Sequence, residues 1–123
     1  MNDYEIDILQ LAGKGYCCSQ IIIKLGLQLT GEETPALVRA VAALCHGVSG
    51  STACGALTGA ACLLGYHAGK GNDNDQENEK LPLMLDELSD WFGQYCSTRF
   101  SGINCSDIVH DGRVDPMICG GLV

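Results

Sequence analysis

Apolar side chains recur at helical spacing in the segment from Tyr16 to Leu29. They return every three or four positions, which places them on one face of a helix. The positions on this face are Cys18, Ile21, Ile22, Leu25 and Leu29. Polar side chains occupy the opposite face, and Cys17 falls among them. We therefore predict a helix in which Cys18 faces the core and Cys17 lies at the rim.

Apolar spacing, candidate caps and turn residues predict further helices along the rest of the chain. No segment alternates apolar and polar residues over the length of a strand. We therefore predict an all-α fold, a single-domain helical bundle of about five helices over residues 1–123. Three predicted helices cover residues 3–12, 16–29 and 79–99, and a short helical turn is predicted near 105–109. A further helix runs from a cap at Thr30 or Thr34 to about Cys45. Another runs from a cap at Ser49 or Ser51 to about His67.

Charge and composition narrow the classes of partner. The net charge of −8 argues against nucleic acid and anionic lipid, because both select for faces rich in Lys and Arg. The stretch from Ala40 to Gly69 carries no charge, but its polar residues and the "HGVSGS" break favour a buried hairpin over a membrane span. The N-terminus has neither a basic region nor a continuous apolar run, so we predict a cytoplasmic protein without a signal peptide.

Eight cysteines in 123 residues are the feature that most needs a chemical explanation. A secreted disulfide scaffold would use so many, but this N-terminus does not favour secretion. In a reducing cytoplasm, cysteines tend to be catalytic, metal-binding or small buried hydrophobes. The spacing contains no C-x-x-C, so it indicates neither a zinc ribbon nor a thioredoxin-type motif.

The stretch "STACGALTGAACLLG", residues 51–65, combines cysteines with glycines that weaken a helix. Each glycine costs a helix interior about 0.5–1 kcal/mol relative to alanine. If Ser51 caps this helix, Cys54 lies in the first turn, where the helix dipole favours a thiolate, and we expect it to be the most acidic thiol. Gly55 and Gly59 form a smooth face beside it. They make room either for a bound centre, as cofactor-binding residues, or for a closely packed helix.

Helix geometry restricts which cysteines can pair. Cys54 and Cys62 would lie about 12 Å apart along one helix, beyond the roughly 7 Å between Cα atoms that a disulfide allows. Cys17 and Cys18 are adjacent and make a poor bridge. Any dithiol or metal cluster must therefore join cysteines from different helices.

Four short motifs resemble one small family. They are "GYCCSQ" at 15–20, "CGALTGA" at 54–60, "RFSGINCSDIV" at 99–109 and a last cysteine at 119. Together they are similar to the C_GCAxxG_C_C family of small redox-active cysteine proteins. The family label orders the middle motif as GCAxxG, whereas this chain has Cys-Gly-Ala-Leu-Thr-Gly. The resemblance extends from about residue 13 to residue 119.

The resemblance implies a redox role for four cysteines. Carried over by motif, they are Cys18, Cys54, Cys105 and Cys119, and they would serve as the redox residues or as metal ligands. Family members are short helical proteins, often from anaerobes, and a related domain beside split-Soret cytochromes is associated with an iron–sulfur centre. This chain departs from the pattern by four additional cysteines, namely Cys17, Cys45, Cys62 and Cys96.

Two classes of function stay open at this point. In the first, cysteines from separate helices hold an iron–sulfur cluster or form reversible disulfides, and the protein exchanges electrons with a redox partner protein. In the second, the chain is a non-catalytic helical interaction domain whose cysteines only pack. The first class requires Cys18, Cys54 and Cys105 to converge in the fold, with Cys119 close by.

Overall fold

The computed structural model describes residues 3–50, 52–100 and 102–108, and of Cys105 and Ser106 only the backbone. The helices of this part of the chain are α1 Asp3–Gly13, α2 Cys18–Thr30, α3 Pro35–Ala40, α4 Gly55–Ala68, α5 Leu81–Ser97 and the single turn α6 Cys105–Ile108. A 3₁₀ turn, Val41–Leu44, continues α3. Among these residues there is no strand, only an isolated bridge between Ala53 and Asn104. The predicted all-α fold is confirmed.

Helix α2 lies at the centre of the fold. Its buried residues are distributed around the helix and are Cys18, Ser19, Ile21, Ile23, Leu25 and Leu27. Ile21 and Leu25 pack against Ile8 of α1, while Ile23 and Leu27 pack on another side against Val41 of the 3₁₀ turn. A helix enclosed on several sides buries more than one stripe of side chains.

The single apolar stripe predicted for α2 therefore lacks two buried residues, Ile23 and Leu27, and it was also wrong about Leu29 and Cys17. Leu29 is 74% exposed, because it lies one turn beyond Leu25 and past the cluster that Leu25 forms with α1. Cys17 is only 9% exposed, although the helical wheel places it at the polar rim. It is the N-cap residue of α2 with an extended backbone, so the angular spacing of a helix does not describe where its side chain points.

Helices α2 and α4 pack closely and run in the same direction. A Cβ atom added to Gly59 would lie 2.8 Å from the carbonyl oxygen of Ser19, near the start of α2. Further along both helices, a Cβ added to Gly26 of α2 would collide with the side chain of Leu63 of α4. The two helices therefore start at the same end of the molecule, and Gly55 and Gly59 let their backbones approach there.

The chain between the 3₁₀ turn and α4 makes a left-handed turn. The φ angles of His46, Gly47, Val48 and Ser49 are 57°, 64°, 54° and 59°. For a residue with a side chain, this conformation costs roughly 1–2 kcal/mol, and it is uncommon for β-branched valine. The predicted break at "HGVSGS" is confirmed. The predicted cap at Ser49 or Ser51 is wrong, because the left-handed turn delays the start of α4 and Cys54 becomes its N-cap.

None of the helices in the described residues is long and apolar enough to cross a membrane.

Candidate redox site

Two cysteine sites meet where α2 and α4 begin. Cys17 and Cys54 are the N-cap residues of these two helices, and Cys18 is the first residue of α2. The C-terminal part of α5 brings Cys96 to the same end, where it joins the core cluster of Cys18 and Cys54. The parallel packing of α2 and α4 therefore gathers cysteines that are far apart in sequence.

Cys17 and Cys45 form a disulfide in the structure. Their Cα atoms are 5.8 Å apart, inside the usual range of roughly 4.4–6.8 Å. The bond joins the start of α2 to the end of the 3₁₀ turn, across a sequence separation of 28. Cys45 is half-buried and Cys17 nearly buried, so Cys45 is the residue of the pair with more contact with solvent.

A buried hydroxyl group lies beside both sulfur atoms of this pair. Ser19 is fully buried, and its hydroxyl donates a hydrogen bond to the carbonyl oxygen of Val41 at 2.8 Å. Oγ of Ser19 also lies 3.2 Å from Sγ of Cys17 and 3.7 Å from Sγ of Cys45. The disulfide therefore has a polar neighbour inside an otherwise apolar region.

Gln20 fixes the backbone of Cys17 at the start of α2. Its side-chain oxygen accepts a hydrogen bond from the Cys17 N–H at 3.2 Å, and its amide nitrogen donates to the carbonyl oxygen of Val38 at 3.2 Å. The first contact is the half of a capping box that a residue at N3 supplies. The second ties the start of α2 to α3, which leads through the 3₁₀ turn to Cys45.

Three other cysteines lie in an apolar environment. Cys18, Cys54 and Cys96 are 8%, 3% and 0% exposed, and they belong to one core cluster with Phe92 and Ile108. Desolvation raises the pKa of the Cys96 thiol, and the positive charge of Arg99 opposes that rise in part. Apolar burial favours the neutral thiol, so Cys96 is poorly suited to attack a disulfide.

The predicted redox cysteines are distributed as follows. Cys18 and Cys54 share the buried cluster. Cys105 begins α6, and its backbone follows the segment that pairs with the start of α4, where the Cys54 N–H donates to the carbonyl oxygen of Ile103 at 2.7 Å. The side chain of Cys105 and the whole of Cys119 lie outside the described residues. The convergence of all four therefore stays a prediction.

The predicted cofactor-binding glycines face α2. A Cβ added to Gly55 would lie 3.3 Å from the amide nitrogen of Ser19, and one added to Gly59 would lie 2.5 Å from Cγ2 of Ile22. The helices pack closely at both glycines, and a bound centre beside them stays a prediction. In the part of the chain that the structure describes, no group of three or more His, Cys, Asp or Glu residues could hold a metal ion.

The pairing of Cys17 with Cys45 was not predicted from the sequence. Helical periodicity assigned Cys17 to the polar rim. Cys45 lies next to the "HGVSGS" break, and no sequence motif around Cys45 indicated a partner. One signal was available. In "CCSQ", Gln20 stands three residues after Cys17, which is the spacing of a capping box with cysteine in the place of serine or threonine. That spacing would have put Cys17 at the N-cap and outside the helical wheel.

The fold and this site are those of a small all-helical protein in which a disulfide joins two cysteines distant in sequence. The chain belongs to the family described as "Putative redox-active protein (C_GCAxxG_C_C)", whose model matches residues 16–123. Neither the curated proteins nor the solved structures give a match to this chain.

Proposed function

We propose that this protein is a thiol–disulfide redox protein in which Cys17 and Cys45 form and break their disulfide reversibly. The observation that carries the proposal is the Cys17–Cys45 pair itself, with Cα atoms 5.8 Å apart. Membership of a family described as redox-active supports it. The half-buried position of Cys45 supports exchange over a purely structural bond, since exchange needs access to one sulfur atom.

The proposed cellular setting is the cytoplasm, with a dithiol on a partner protein as the electron donor or acceptor. Cytosolic disulfides of mesophiles are usually transient, and they serve catalysis or redox sensing. In that setting the pair passes two electrons per cycle. Oxidation of Cys17 and Cys45 releases two electrons and two protons, and reduction takes them up again.

An equilibrium redox titration tests this proposal. The protein is equilibrated in dithiothreitol buffers of graded potential, quenched with acid and alkylated. Mass spectrometry then measures the alkylated fraction of Cys17 and of Cys45. We expect Cys17 and Cys45 to lose and gain their alkyl label together along a two-electron curve. The Cys62→Ser variant serves as a control outside the pair and should give the same curve. If Cys17 and Cys45 stay alkylated at every potential tested, the pair is not redox-active.

A second candidate function is an iron–sulfur centre at the buried cluster. The observation that favours it is that two family cysteines, Cys18 and Cys54, share that cluster. The described residues alone do not supply a metal site, so such a centre requires Cys105 and Cys119 as further ligands. The test is the visible absorption of protein purified without oxygen, together with iron and sulfide analysis. Absorption and iron that persist in the Cys17→Ser variant and disappear in Cys54→Ser would support this candidate.

A further inference from the structure

The hydroxyl group of Ser19 lies near more hydrogen-bond acceptors than it can donate to at one time. A serine hydroxyl carries a single donor hydrogen and two acceptor lone pairs. Three atoms compete for that hydrogen, the carbonyl oxygen of Val41 at 2.8 Å and the two disulfide sulfurs at 3.2 and 3.7 Å. A disulfide sulfur is a weak acceptor, so in the oxidised protein the hydrogen stays on the Val41 side.

Reduction changes this competition. Opening the disulfide produces a thiolate, and a hydrogen bond to an ionised acceptor is roughly twice as strong as one between neutral groups. Rotation about the Cβ–Oγ bond of Ser19 suffices to turn the hydrogen from Val41 to a sulfur atom. The hydroxyl can therefore stabilise a thiolate without any movement of the backbone.

The two sulfur atoms are not equivalent in this respect. Sγ of Cys17 is nearer to the Ser19 oxygen, at 3.2 Å against 3.7 Å for Cys45. Cys17 is also the N-cap of α2, where unpaired amide groups favour negative charge. Cys45 has more contact with solvent. The pair therefore has one sulfur placed for attack from outside and one placed to hold charge.

We propose that the Ser19 hydroxyl stabilises Cys17 as the leaving thiolate, so that an incoming thiol attacks Cys45. This inference rests on the proposed function, because it assigns roles within the same pair. It makes Cys45 the residue that forms the mixed disulfide with the partner and Cys17 the residue that leaves as a thiolate. In the reverse direction, when the reduced pair reduces a partner disulfide, Cys17 attacks Sγ of Cys45 in the mixed disulfide, closes the pair and releases the partner thiolate.

The steps balance with a thiol-containing donor. A donor thiolate forms a bond to Sγ of Cys45 as the bond between Cys45 and Cys17 breaks, and its electron pair leaves on Cys17. A second thiolate of the donor then attacks the donor sulfur in the mixed disulfide and releases Cys45 as a thiolate. The donor is oxidised to a disulfide, the pair is reduced by two electrons, and both thiolates take protons from solvent according to pH.

The test compares Ser19→Ala with wild type. In the reduced protein, cysteine alkylation is mapped by mass against pH, and the midpoint pH for Cys17 should rise by about one unit in the variant, the size expected for a hydrogen bond to a charged group. Reduction of the oxidised variant by a monothiol should be several-fold slower, because a leaving thiol of higher pKa leaves more slowly. Thr58→Ala is the matched control, since its hydroxyl contacts backbone carbonyls and not this pair.

A second measurement covers the case in which Ser19→Ala does not fold. In the single variants, a small activated disulfide should label Cys45 of Cys17→Ser faster than it labels Cys17 of Cys45→Ser, at a pH where both are ionised. Equal labelling rates, or faster labelling of Cys17, would overturn the assignment of roles. Unchanged Cys17 midpoints in a folded Ser19→Ala protein would overturn the role of Ser19 while the reversible pair stands. Failure of the redox titration would instead remove the proposed function.

Discussion

Cys17 and Cys18 are adjacent in sequence, yet they belong to two different sites. Cys17 bonds to Cys45 beside the Ser19 hydroxyl, whereas Cys18 packs with Cys54, Cys96 and Phe92 in an apolar cluster. The start of α2 causes the difference, because an N-cap residue has an extended backbone while the next residue is helical. One peptide bond thus separates a cysteine that is bonded to Cys45 beside a hydroxyl group from a cysteine that packs in an apolar cluster.

The two sites differ in what their surroundings allow. Thiol–disulfide exchange needs a sulfur that solvent or a partner can reach and a thiolate that is stabilised. In our proposal, the half-buried Cys45 meets the first condition, and Cys17, beside the Ser19 hydroxyl, meets the second. At the other site, burial raises the pKa of the Cys96 thiol and suits a cysteine that packs. The additional cysteines of this chain, Cys17 and Cys45, therefore carry the exchange chemistry that we propose.

The largest expected effect is on the free energy of unfolding, and it concerns only the Cys17–Cys45 disulfide. Removing the disulfide with the double variant Cys17→Ser and Cys45→Ser should lower the free energy of unfolding by roughly 3–4 kcal/mol, since it frees a loop of nearly thirty residues in the unfolded chain. Denaturant unfolding measures this. Adding a reductant should destabilise wild type by a similar amount and leave the double variant unchanged. A reductant effect of equal size in both proteins would place the stabilising bond elsewhere.

A somewhat smaller loss of stability is expected when the contact between α2 and α4 is disturbed, because both cysteine sites lie at the start of these helices. Gly59→Leu puts bulk against Ser19 and Ile22, and such overpacking costs about 1–3 kcal/mol, occasionally more. Gly65→Ala in the same helix is the matched control, because an added Cβ meets nothing within 4 Å there, and it should stabilise by up to about 1 kcal/mol. Thermal melts compare the two. Equal melting temperatures for Gly59→Leu and wild type would show that this packing does not hold the sites together.

The smallest expected effect is a pH dependence of the free energy of unfolding that arises from Cys96 in the buried cluster. Desolvation raises the pKa of the Cys96 thiol above its ordinary value, and the positive charge of Arg99 opposes that rise in part. The folded protein then holds this proton more tightly than the unfolded chain does. Its contribution to stability is complete below the unfolded pKa and is lost as pH rises through the folded pKa. The free energy of unfolding should therefore fall more steeply above pH 9 in wild type than in Cys96→Ala. Parallel slopes in the two proteins would contradict a raised pKa at this buried thiol.

Sequence patterns were sufficient for the helices and insufficient for the pairing. Apolar spacing located α1, α2 and α5, whereas α4 was located from a predicted cap after the "HGVSGS" break. The disulfide depends instead on two residues at helix ends, Cys17 and Cys45, where periodicity carries no information. The left-handed turn after Cys45 also has no periodic signature. The contact between Gly59 and Ser19 is tertiary, so the sequence suggested only that something comes close to that glycine.

A peptide map of the mildly oxidised protein under non-reducing conditions distinguishes a disulfide between Cys17 and Cys45 from every other pairing. Trypsin leaves Cys17 and Cys18 in one peptide and Cys45, Cys54 and Cys62 in another, so backbone fragmentation within the linked pair must assign each sulfur. Our account predicts a link from Cys17 to Cys45 in most molecules, with Cys18 and Cys54 outside it. A link from Cys18 to Cys54, Cys105 or Cys119, with Cys17 and Cys45 both unlinked, would contradict it.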